Sequence, residues 1–363
     1  MRVVVATDAI GALSSAEAGA LLAAAWPRAQ VTVLPVGDAG RGFATAVADS
    51  WGVELVSGVL DGRLVAWANG PEGVVVAVAD RPAPGGAQQA SGPGTGIPAT
   101  ASTWDLGRTL RQALWERSGP VGTVLLDLAG SDAHDGGAGL LAALGALADV
   151  PLDAGVAGLR GVDRLNLGPV RQALGGARLV GVVPAEELER PLLGLRGITS
   201  LRGRAEGYDA AELLATDAAL ERFAALVAPG AGALAGAGAC GGLGLAVLGL
   251  GGRLATGPAL ALAGVAQGER AARPDLVVTG CSVFDFATRG GGVVAEAARA
   301  AAAALAPCVV VAGEVLIGSR EMRTLGVEAA YAVRAAGAAP GAGEVGAEEL
   351  AATARRISRS WTW

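Results

Sequence analysis

The segment most informative about the architecture lies at the start of the chain. It reads Val3-Val4-Val5-Ala6-Thr7-Asp8, a continuous apolar and β-branched run that ends in a carboxylate. Such runs are typical of strands buried on both faces of a parallel sheet. The pair Ser14-Ser15 follows and is typical of a helix N-terminus, opening an Ala/Leu-rich segment that ends near Trp26-Pro27. We therefore predict a first strand followed by a first helix.

The same alternation of strand and helix continues on both sides of the chain's middle. Strand patterns occur at 31–36, 54–59, 276–279 and 309–312, and helix patterns occur from about 41 to 51 and at 293–305. Parallel strands joined by helical crossovers follow from this order. We predict a doubly wound, Rossmann-like or flavodoxin-like α/β domain made from residues 1–60 and 271–363. A second α/β domain is predicted to be inserted at 61–270, with a cleft between the two.

The composition excludes several classes of protein. The chain has 363 residues, of which 52% are hydrophobic and 17% charged, so it has enough apolar surface to fold around sizeable cores. Charges and glycines interrupt the apolar runs, and we expect no membrane span. The three cysteines lack Cys-x-x-Cys spacing, and Asp8 and Gly11 interrupt any signal-peptide core. We expect a cytoplasmic protein.

The basic residues carry further information. The formal net charge is −6, and all 28 basic residues are arginines because the sequence contains no lysine. This excludes Schiff-base and P-loop lysines. An acidic chain without a clustered basic stripe is not typical of nucleic-acid binders. We expect a small-molecule partner and leave the oligomeric state open.

Four polar, Gly-rich loops follow predicted strands, which is where ligands bind in open parallel sheets. They lie at 7–9, 37–42, 130–139 and 279–285. Each places at least one aspartate at a strand end, where a carboxylate can hold Mg²⁺ or accept a proton from a hydroxyl group. Glycines there allow a phosphate to approach the backbone. The alternatives are that each aspartate is an N-cap and that the Gly-rich stretch 237–244 serves tight helix packing.

Two other features of the sequence concern the candidate site. His134 is the only histidine, so a Ser-His-Asp triad would have to include it, which we do not favour. Its neighbours Asp132 and Asp135 predict that its pKa is held up rather than lowered.

The Pro/Gly/Ser/Gln-rich segment 81–98 predicts a mobile surface loop or lid.

The order of these loops resembles the two-domain bacterial glycerate kinases, over nearly the whole chain up to about residue 335. Their Asp-Ser-Phe/Tyr-Lys-x-Ser-Leu-Ser-Ala is similar to residues 8–16, and their Pro-Val-Ala-Asp-Gly-Gly-Glu-Gly-Thr to residues 35–43. Gly-Gly-Ser-Ala-Thr-Asn-Asp-Gly-Gly-Ala-Gly is similar to 129–139. The family motif Gly-Ala-Gly-Ala-Ala-Gly-Gly-Leu/Met-Gly is similar to residues 236–244, where Cys240 is the one change. The family motif Val-Ile-Thr-Gly-Glu-Gly-Arg-Leu/Ile-Asp is similar to residues 277–285.

The resemblance implies transfer of the γ-phosphoryl group of ATP, with Mg²⁺, to a hydroxyl group of D-glycerate. It assigns candidate catalytic roles to Asp8, Asp135 and Asp285, and metal binding to Asp38 and Asp135. It assigns nucleotide binding to Gly130, Ser131, Gly136, Gly137, Gly238, Gly241 and Gly242. It assigns substrate binding to Asp38, Gly40, Arg41 and His134.

The departures from the family pattern all fall on charged or polar positions. Lysines of the family correspond to Gly11, Glu206 and Gly292, and its second-loop Glu corresponds to Arg41. In the last motif Glu and Arg have become Cys281 and Val283. Because cations offset the charge that develops during phosphoryl transfer, their loss predicts a weak kinase. The alternative is a catalytically inactive homologue that acts as a binding or regulatory module.

Overall fold

The computed structural model describes residues 1–60, 62–78, 98–131, 133–205, 207–269, 272–334 and 344–362. Its strands are β1 (Arg2–Thr7), β2 (Gln30–Pro35), β3 (Val56–Leu60), β4 (Arg63–Asn69), β5 (Gly73–Val78), β6 (Thr123–Asp127), β7 (Leu147–Ala148), β8 (Leu165–Asn166), β9 (Arg178–Val182), β10 (Arg253–Ala255), β11 (Leu276–Asp285), β12 (Cys308–Leu316) and β13 (Ala329–Ala332).

Helices occupy most of the connections between these strands. They are α1 (Ser15–Ala23), α2 (Phe43–Trp51), α3 (Trp104–Glu116), α4 (Ala138–Ala143), α5 (Gly155–Gly158), α6 (Gly168–Leu174), α7 (Ile198–Ala205), α8 (Ala210–Val227), α9 (Ala239–Gly249), α10 (Gly257–Leu262), α11 (Gly291–Ala303), α12 (Ser319–Thr324) and α13 (Ala347–Ser358). Short 3₁₀ turns occur at Ala185–Glu187 and Ala231–Ala233. No helix in the described ranges combines the length and the apolar character needed to cross a membrane.

The chain divides into two compact units. The first unit comprises Met1–Ser50 and Thr256–Trp363, and the second comprises Trp51–Ala255. The sequence placed these boundaries at 60/61 and 270/271, whereas the structure places residues 51–60 in the second unit and residues 256–270 in the first. The predicted lid at 81–98 falls almost wholly outside the described residues, as do Asp132 and Glu206.

The first unit is a doubly wound parallel sheet, as the opening strand pattern predicted. Its strand order is β2-β1-β11-β12-β13, with every neighbouring pair parallel. This is the flavodoxin-like order, in which the winding reverses between the first and third strands of the domain. Val3 and Val5 of β1 pack in one cluster with α1 and α13, whereas Val4 and Ala6 pack in the other with α10, α11 and α12. The alternation explains why the strand is apolar throughout.

The second unit contains a mixed six-stranded sheet with the order β10-β9-β6-β5-β4-β3. The strands β10, β9, β6 and β5 are parallel, and β4 and β3 are antiparallel additions. A single cluster of buried apolar side chains fills this unit and includes Phe223, Leu126 and Leu140.

The prediction that the strand at 54–59 extends the parallel sheet was wrong. The strand is β3, and it pairs antiparallel with β4, Leu60 opposite Arg63, in the sheet of the second unit. Only two residues, Asp61 and Gly62, separate β3 from β4. Such a short connection joins antiparallel strands, because a parallel pair needs a crossover of a dozen residues or more. The Asp-Gly pair is itself a strong hairpin signal, and it was missed.

Candidate functional site

Three aspartates lie at the carboxyl ends of adjacent parallel strands in the first unit. Asp8 follows β1, Asp38 follows β2, and Asp285 is the last residue of β11. The strand order is β2-β1-β11, so Asp8 and Asp38 lie at one edge of the sheet, at the point where the winding reverses. The strand β11 leaves the sheet at the same edge but extends past the end of β1, beside β12, before it reaches Asp285. We call Asp8, Asp38 and Asp285 the aspartate edge. Three loops distant in sequence thus converge where this fold class binds ligands.

Asp8 has the environment of a proton acceptor. Its N–H donates to the carbonyl of Gly280 at 3.0 Å, which fixes the loop after β1 to the neighbouring strand. Burial raises the pKa of Asp8, and the charge of Asp38 raises it further. The amide of Ala9, which donates to Oδ1 at 2.8 Å, and the charge of Arg41 act in the opposite direction. A carboxylate with a raised pKa suits general-base chemistry near neutral pH.

Asp38 and Arg41 face each other across a tight turn. The N–H of Asp38 donates to the carbonyl of Arg41 at 3.0 Å, and the N–H of Arg41 donates back at 2.9 Å. Gly40 lies within this turn with a φ of +72°, a conformation that glycine adopts without strain. The guanidinium of Arg41 lies 3.9 Å from Oδ2 of Asp38. Gly40 therefore shapes the turn that presents both charged side chains.

Asp285 differs from Asp8 in its hydrogen bonds. Its Oδ1 accepts hydrogen bonds from the N–H and the hydroxyl of Thr288, each at 2.7 Å. These bonds hold the pKa of Asp285 below its usual value. Asp285 therefore stays ionised and organises the turn that leads into α11, so it supplies negative charge rather than a base.

Ser15 joins the loops that carry Asp8 and Asp38. Its buried hydroxyl donates to the carbonyl of Thr7 and accepts from the N–H of Val36, both at 2.7 Å. The preceding Ser14 is the N-cap of α1, whose hydroxyl accepts from the N–H of Glu17 at 3.2 Å. The sequence singled out the Ser-Ser pair as a helix start and missed that only the first serine caps the helix.

In the second unit, the side chain of Asp135 is completely buried, and its carboxylate accepts hydrogen bonds from several protein groups. Its carboxylate accepts from the N–H groups of Thr103, Gly137 and Gly139 at 2.9 to 3.0 Å, and from the Thr103 hydroxyl at 3.0 Å. Burial raises the pKa of Asp135, and these donors oppose that rise. A carboxylate with this many donors and no exposed surface organises its loop. This geometry does not fit the metal-ligand role expected from the sequence.

The expectation for His134 was wrong in direction. The side chain is buried, and burial, with the positive charge of Arg202 second, lowers the pKa of His134 to about 4. Among the described residues neither ring nitrogen has a hydrogen-bond partner. Arg202 donates to the carbonyl of Ala133 at 2.8 Å, which places this cation beside the loop. Sequence neighbours suggested an acidic setting, whereas the fold places a cation there.

The glycines predicted to bind nucleotide lie in two loops that pack directly on each other. The N–H of Gly136 donates to the carbonyl of Gly241 at 3.2 Å. A Cβ on Gly241 would lie 1.8 Å from the carbonyl oxygen of Ala133, and one on Gly242 would lie 2.8 Å from Cα of Gly136. Both glycines have positive φ, as does Cys240 at +48°. Any larger residue at Gly241 or Gly242 would push the loops apart.

The remaining members of that predicted set have similar surroundings. A Cβ at Gly130, Gly137 or Gly238 would lie 2.4, 2.5 or 2.0 Å from a neighbouring protein atom, respectively. Ser131 is buried, and its hydroxyl accepts from the N–H of Ala133 at 3.4 Å. The glycines form the scaffold of the two loops, so any contact that they make with a ligand comes from the backbone.

The fold and the aspartate edge define a doubly wound α/β protein with an acidic strand edge. A sequence model of the Glycerate kinase family matches residues 3–362. An uncharacterized protein of Mycobacterium bovis is 31% identical over 347 residues, covering 92% of this chain and 84% of the relative. A protein named glycerate kinase from Bacillus cereus is 25% identical over 382 residues, covering 99% and 98%. The chain belongs to the glycerate kinase family.

A solved structure is similar over the same length. The crystal structure of "putative glycerate kinase 2" from Salmonella typhimurium LT2 matches with a TM-score of 0.75 and 22% identity, covering 99% of this chain and 98% of that one. At that identity the likeness concerns the fold alone. It agrees with the doubly wound α/β architecture.

The two adjacent serines provide a matched test of the aspartate edge. Ser15→Ala leaves the buried N–H of Val36 without its acceptor, and we expect a loss of about 1 to 3 kcal/mol in the free energy of unfolding. Ser14→Ala removes the N-cap and should cost about 1 kcal/mol. Hydrogen exchange should quicken at Val36 in the Ser15 variant only. Equal exchange in both variants would show that Ser15 does not tie the strand ends.

The role assigned to Asp135 can be tested by unfolding. Asp135→Asn puts an amide N–H₂ group against backbone donors, and we expect urea denaturation to show a loss of about 3 kcal/mol or more. Asp163→Asn, an exposed change of the same kind, serves as the control. An Asp135 variant as stable as the original chain would contradict the structural role and restore the catalytic one.

The single histidine allows a direct spectroscopic test. In a proton NMR titration, the one imidazole signal should titrate near pH 4 because burial and Arg202 disfavour the charged ring. Since the folded-state pKa lies below the unfolded value, His134 should cost stability as the pH falls from 6.5 towards 4. His134→Asn should remove that part of the pH dependence. A midpoint at 6.5 or above would contradict the buried, cation-flanked setting.

Proposed function

We propose that the protein is a phosphotransferase that moves the γ-phosphoryl group of ATP to a hydroxyl group of glycerate or a related small hydroxy acid. The observation that carries the proposal is the aspartate edge, with its raised-pKa carboxylate and its arginine, at the point where the winding reverses. Family membership supports the same reaction class.

In this reaction Asp8 accepts the proton of the attacking hydroxyl group. The substrate oxygen forms a bond to the γ-phosphorus, the bond from that phosphorus to the bridging oxygen breaks, and ADP leaves. Asp8 suits the role because burial raises its pKa. Asp285, whose pKa is lowered, contributes charge and holds the turn before α11. Arg41 binds the carboxylate of the hydroxy acid, because guanidinium and carboxylate pair in a bidentate manner.

Magnesium fits the aspartate edge better than it fits Asp135. Within the described part of the chain, no group of three or more His, Cys, Asp or Glu side chains is placed to hold a metal ion. Mg²⁺ commonly uses one or two carboxylates together with phosphate oxygens and water. The neighbouring charges of Asp8 and Asp38, which raise the pKa of Asp8, would be relieved by a cation between them. When bound, the ion would neutralise phosphate charge.

The nucleotide is assigned to the glycine loops of the second unit. The resemblance places Gly130, Ser131, Gly136, Gly137, Gly238, Gly241 and Gly242 at the nucleotide, and backbone N–H groups of these loops are the donors that would bind its phosphates. The buried nitrogens of His134 lack partners among the described residues, and a ligand hydroxyl or oxygen would satisfy one of them. We therefore keep His134 as a candidate ligand contact.

One observation favours a second candidate, a catalytically inactive homologue that serves as a binding or regulatory module. Gly11 occupies a position where the resemblance places a lysine, and a Cβ there would lie 2.7 Å from the backbone nitrogen of Val345. Gly11 also has a φ of +61°. No side chain fits at this position without a backbone shift, so the cation of that loop is lost. Such a loss lowers the rate of phosphoryl transfer.

A turnover assay with a matched pair of variants tests the proposal. We expect ADP release from Mg-ATP to depend on D-glycerate, and Asp8→Asn to lower kcat by about 10²-fold or more. Because the fold raises the pKa of Asp8, its contribution to stability is lost as pH rises through the folded-state pKa. Asp8→Asn should therefore raise the melting temperature at pH 7, and the gain should vanish near pH 3.

The control for this assay is Asp49→Asn. Burial and Glu17 raise the pKa of Asp49 as well, so its replacement should also raise stability at pH 7. Asp49 lies in α2, outside the loops that carry Asp8, Asp38 and Asp285, and turnover should be unchanged. No ADP release, together with no thermal shift by millimolar Mg-ATP, would favour the inactive homologue. Full turnover in the Asp8 variant would refute its role as base.

A further inference from the structure

The second unit contains a groove that the proposed reaction does not use. The helix α3 packs against β4 and β5, and β3 lies beyond β4 at the edge of the sheet. Between α3 and the β3–β4 hairpin lies a cavity of about 370 Å³, which we call the hairpin groove. Cavities of this size hold small organic molecules. None of the described residues that line it belongs to the loops of the candidate site.

The floor of the hairpin groove is flat and apolar. Trp67 and Val65 of β4 pair with Val56 and Gly58 of β3, respectively, so these positions lie on one face of the hairpin. The indole N–H of Trp67 donates to Oε2 of Glu116 at 2.8 Å. This hydrogen bond fixes the plane of the indole ring. The groove therefore presents an aromatic surface whose orientation is set before any ligand arrives.

One face of α3 forms the wall of the hairpin groove. Arg108, Arg111, Gln112 and Trp115 line the cavity, and their spacing of three and four residues places them on one side of the helix. The side chain of Trp115 is 80% exposed. Tryptophan is buried to a large extent in most proteins, and its large apolar surface is a strong source of binding energy. Trp115 thus offers a second aromatic surface at the groove.

The charge of the hairpin groove is positive. Two arginines are among the described residues that line it, and no aspartate or glutamate is. Arg111 is exposed, and it forms no ion pair with any described residue. The nearby Glu116 is already engaged, because its two carboxylate oxygens accept from Trp67 and from Nε2 of Gln112. A ligand that complements these charges is an anion.

Gly58 keeps the hairpin groove open. A Cβ on Gly58 would lie 3.8 Å from the ring of Trp67 and 3.9 Å from Val65, which are ordinary contact distances. Gly58 does not have a positive φ. Neither the backbone nor the packing therefore requires glycine, and a glycine inside a strand weakens it. What its missing side chain provides is open space over the indole of Trp67.

We infer that the hairpin groove is a second binding site, for a small organic anion with a flat aromatic body. The ring system lies over Trp67, against Trp115, because aromatic surfaces stack on one another. The acidic group, a carboxylate or a phosphate, pairs with the guanidinium of Arg111. The inference goes beyond the proposed function and does not depend on it, because the two sites share no residue.

Calorimetry with three probes that share one ring system tests this inference. Naphthoate carries a carboxylate, naphthyl phosphate carries a phosphate, and naphthalenemethanol is uncharged. We expect at least one of the two anions to bind with a Kd below about 1 mM, and the neutral probe to bind more weakly. The anion that binds more tightly identifies the acidic group that the groove accepts.

A matched pair of variants places the binding in the groove. Gly58→Leu fills the space over Trp67 and should weaken binding of the anions by about 10-fold or more. Ser57→Leu is the control, because it adds the same side chain to the same strand. Neighbouring side chains of a strand point to opposite faces, so binding in the Ser57 variant should equal that of the original chain.

Two further variants test the aromatic and the charged contacts. Trp115→Ala should weaken binding of all three probes by about 5-fold through the loss of stacking. Arg111→Gln should weaken binding of the anions by about 3-fold and leave the neutral probe unchanged, because an exposed ion pair contributes little. Arg171→Gln, an exposed change in α6 outside the lining of the groove, should alter neither.

Each other outcome overturns the inference. Failure of both anions to bind at millimolar concentration would do so, as would binding that survives Gly58→Leu or is lost equally in Ser57→Leu. Equal affinity for the neutral probe would exclude an anion site. Self-association that Gly58→Leu abolishes, with no probe bound, would assign the groove to a second copy of the chain. If Gly58→Leu melts at a lower temperature than the original chain, the exposed Trp115→Ala change decides.

Discussion

The candidate site depends on the parallel pairing of β1 with a neighbour on each side. The pairs Thr7–Pro35 and Val5–Val278 hold three strands in register, so the loops that follow them leave the sheet at one edge. The hydroxyl of Ser15 reinforces this arrangement, because it bonds both to the end of β1 and to the residue after β2. A parallel sheet brings together residues far apart in sequence, and here it assembles carboxylates from three separate loops.

Three aspartates of this protein differ in their pKa and in their role because their surroundings differ. Asp8 is desolvated beside another carboxylate, and its pKa rises. Asp285 accepts two hydrogen bonds from Thr288, and its pKa falls. Asp135 accepts hydrogen bonds from three backbone N–H groups and so holds its loop in place. The division into base, fixed charge and structural anchor therefore arises from desolvation and hydrogen bonding, since the residue type is the same.

The architecture was largely predictable where local patterns carry the information. The apolar run of β1, the Ala-rich α11 and the apolar β12 predicted a doubly wound sheet from both chain ends, and that prediction is confirmed. The prediction for β3 was wrong because an alternating strand pattern does not reveal which sheet the strand joins, and the Asp-Gly hairpin signal that follows it was missed. The candidate positions at the strand ends came from the loop pattern, but Ser15 was missed because a buried serine and a capping serine look alike in sequence.

The sequence by itself determined the class of fold, the candidate loops and the replacement of the family's charged residues, because periodicity, turn residues and motif order are local properties. Only the tertiary structure decided what those residues do. It placed a cation beside His134 where the sequence neighbours are acidic, and it closed the space at Gly11 with Val345. It also placed the guanidinium of Arg41 beside Gly291, at the start of α11. Electrostatics and packing depend on distances through space, which the order of residues along the chain does not contain.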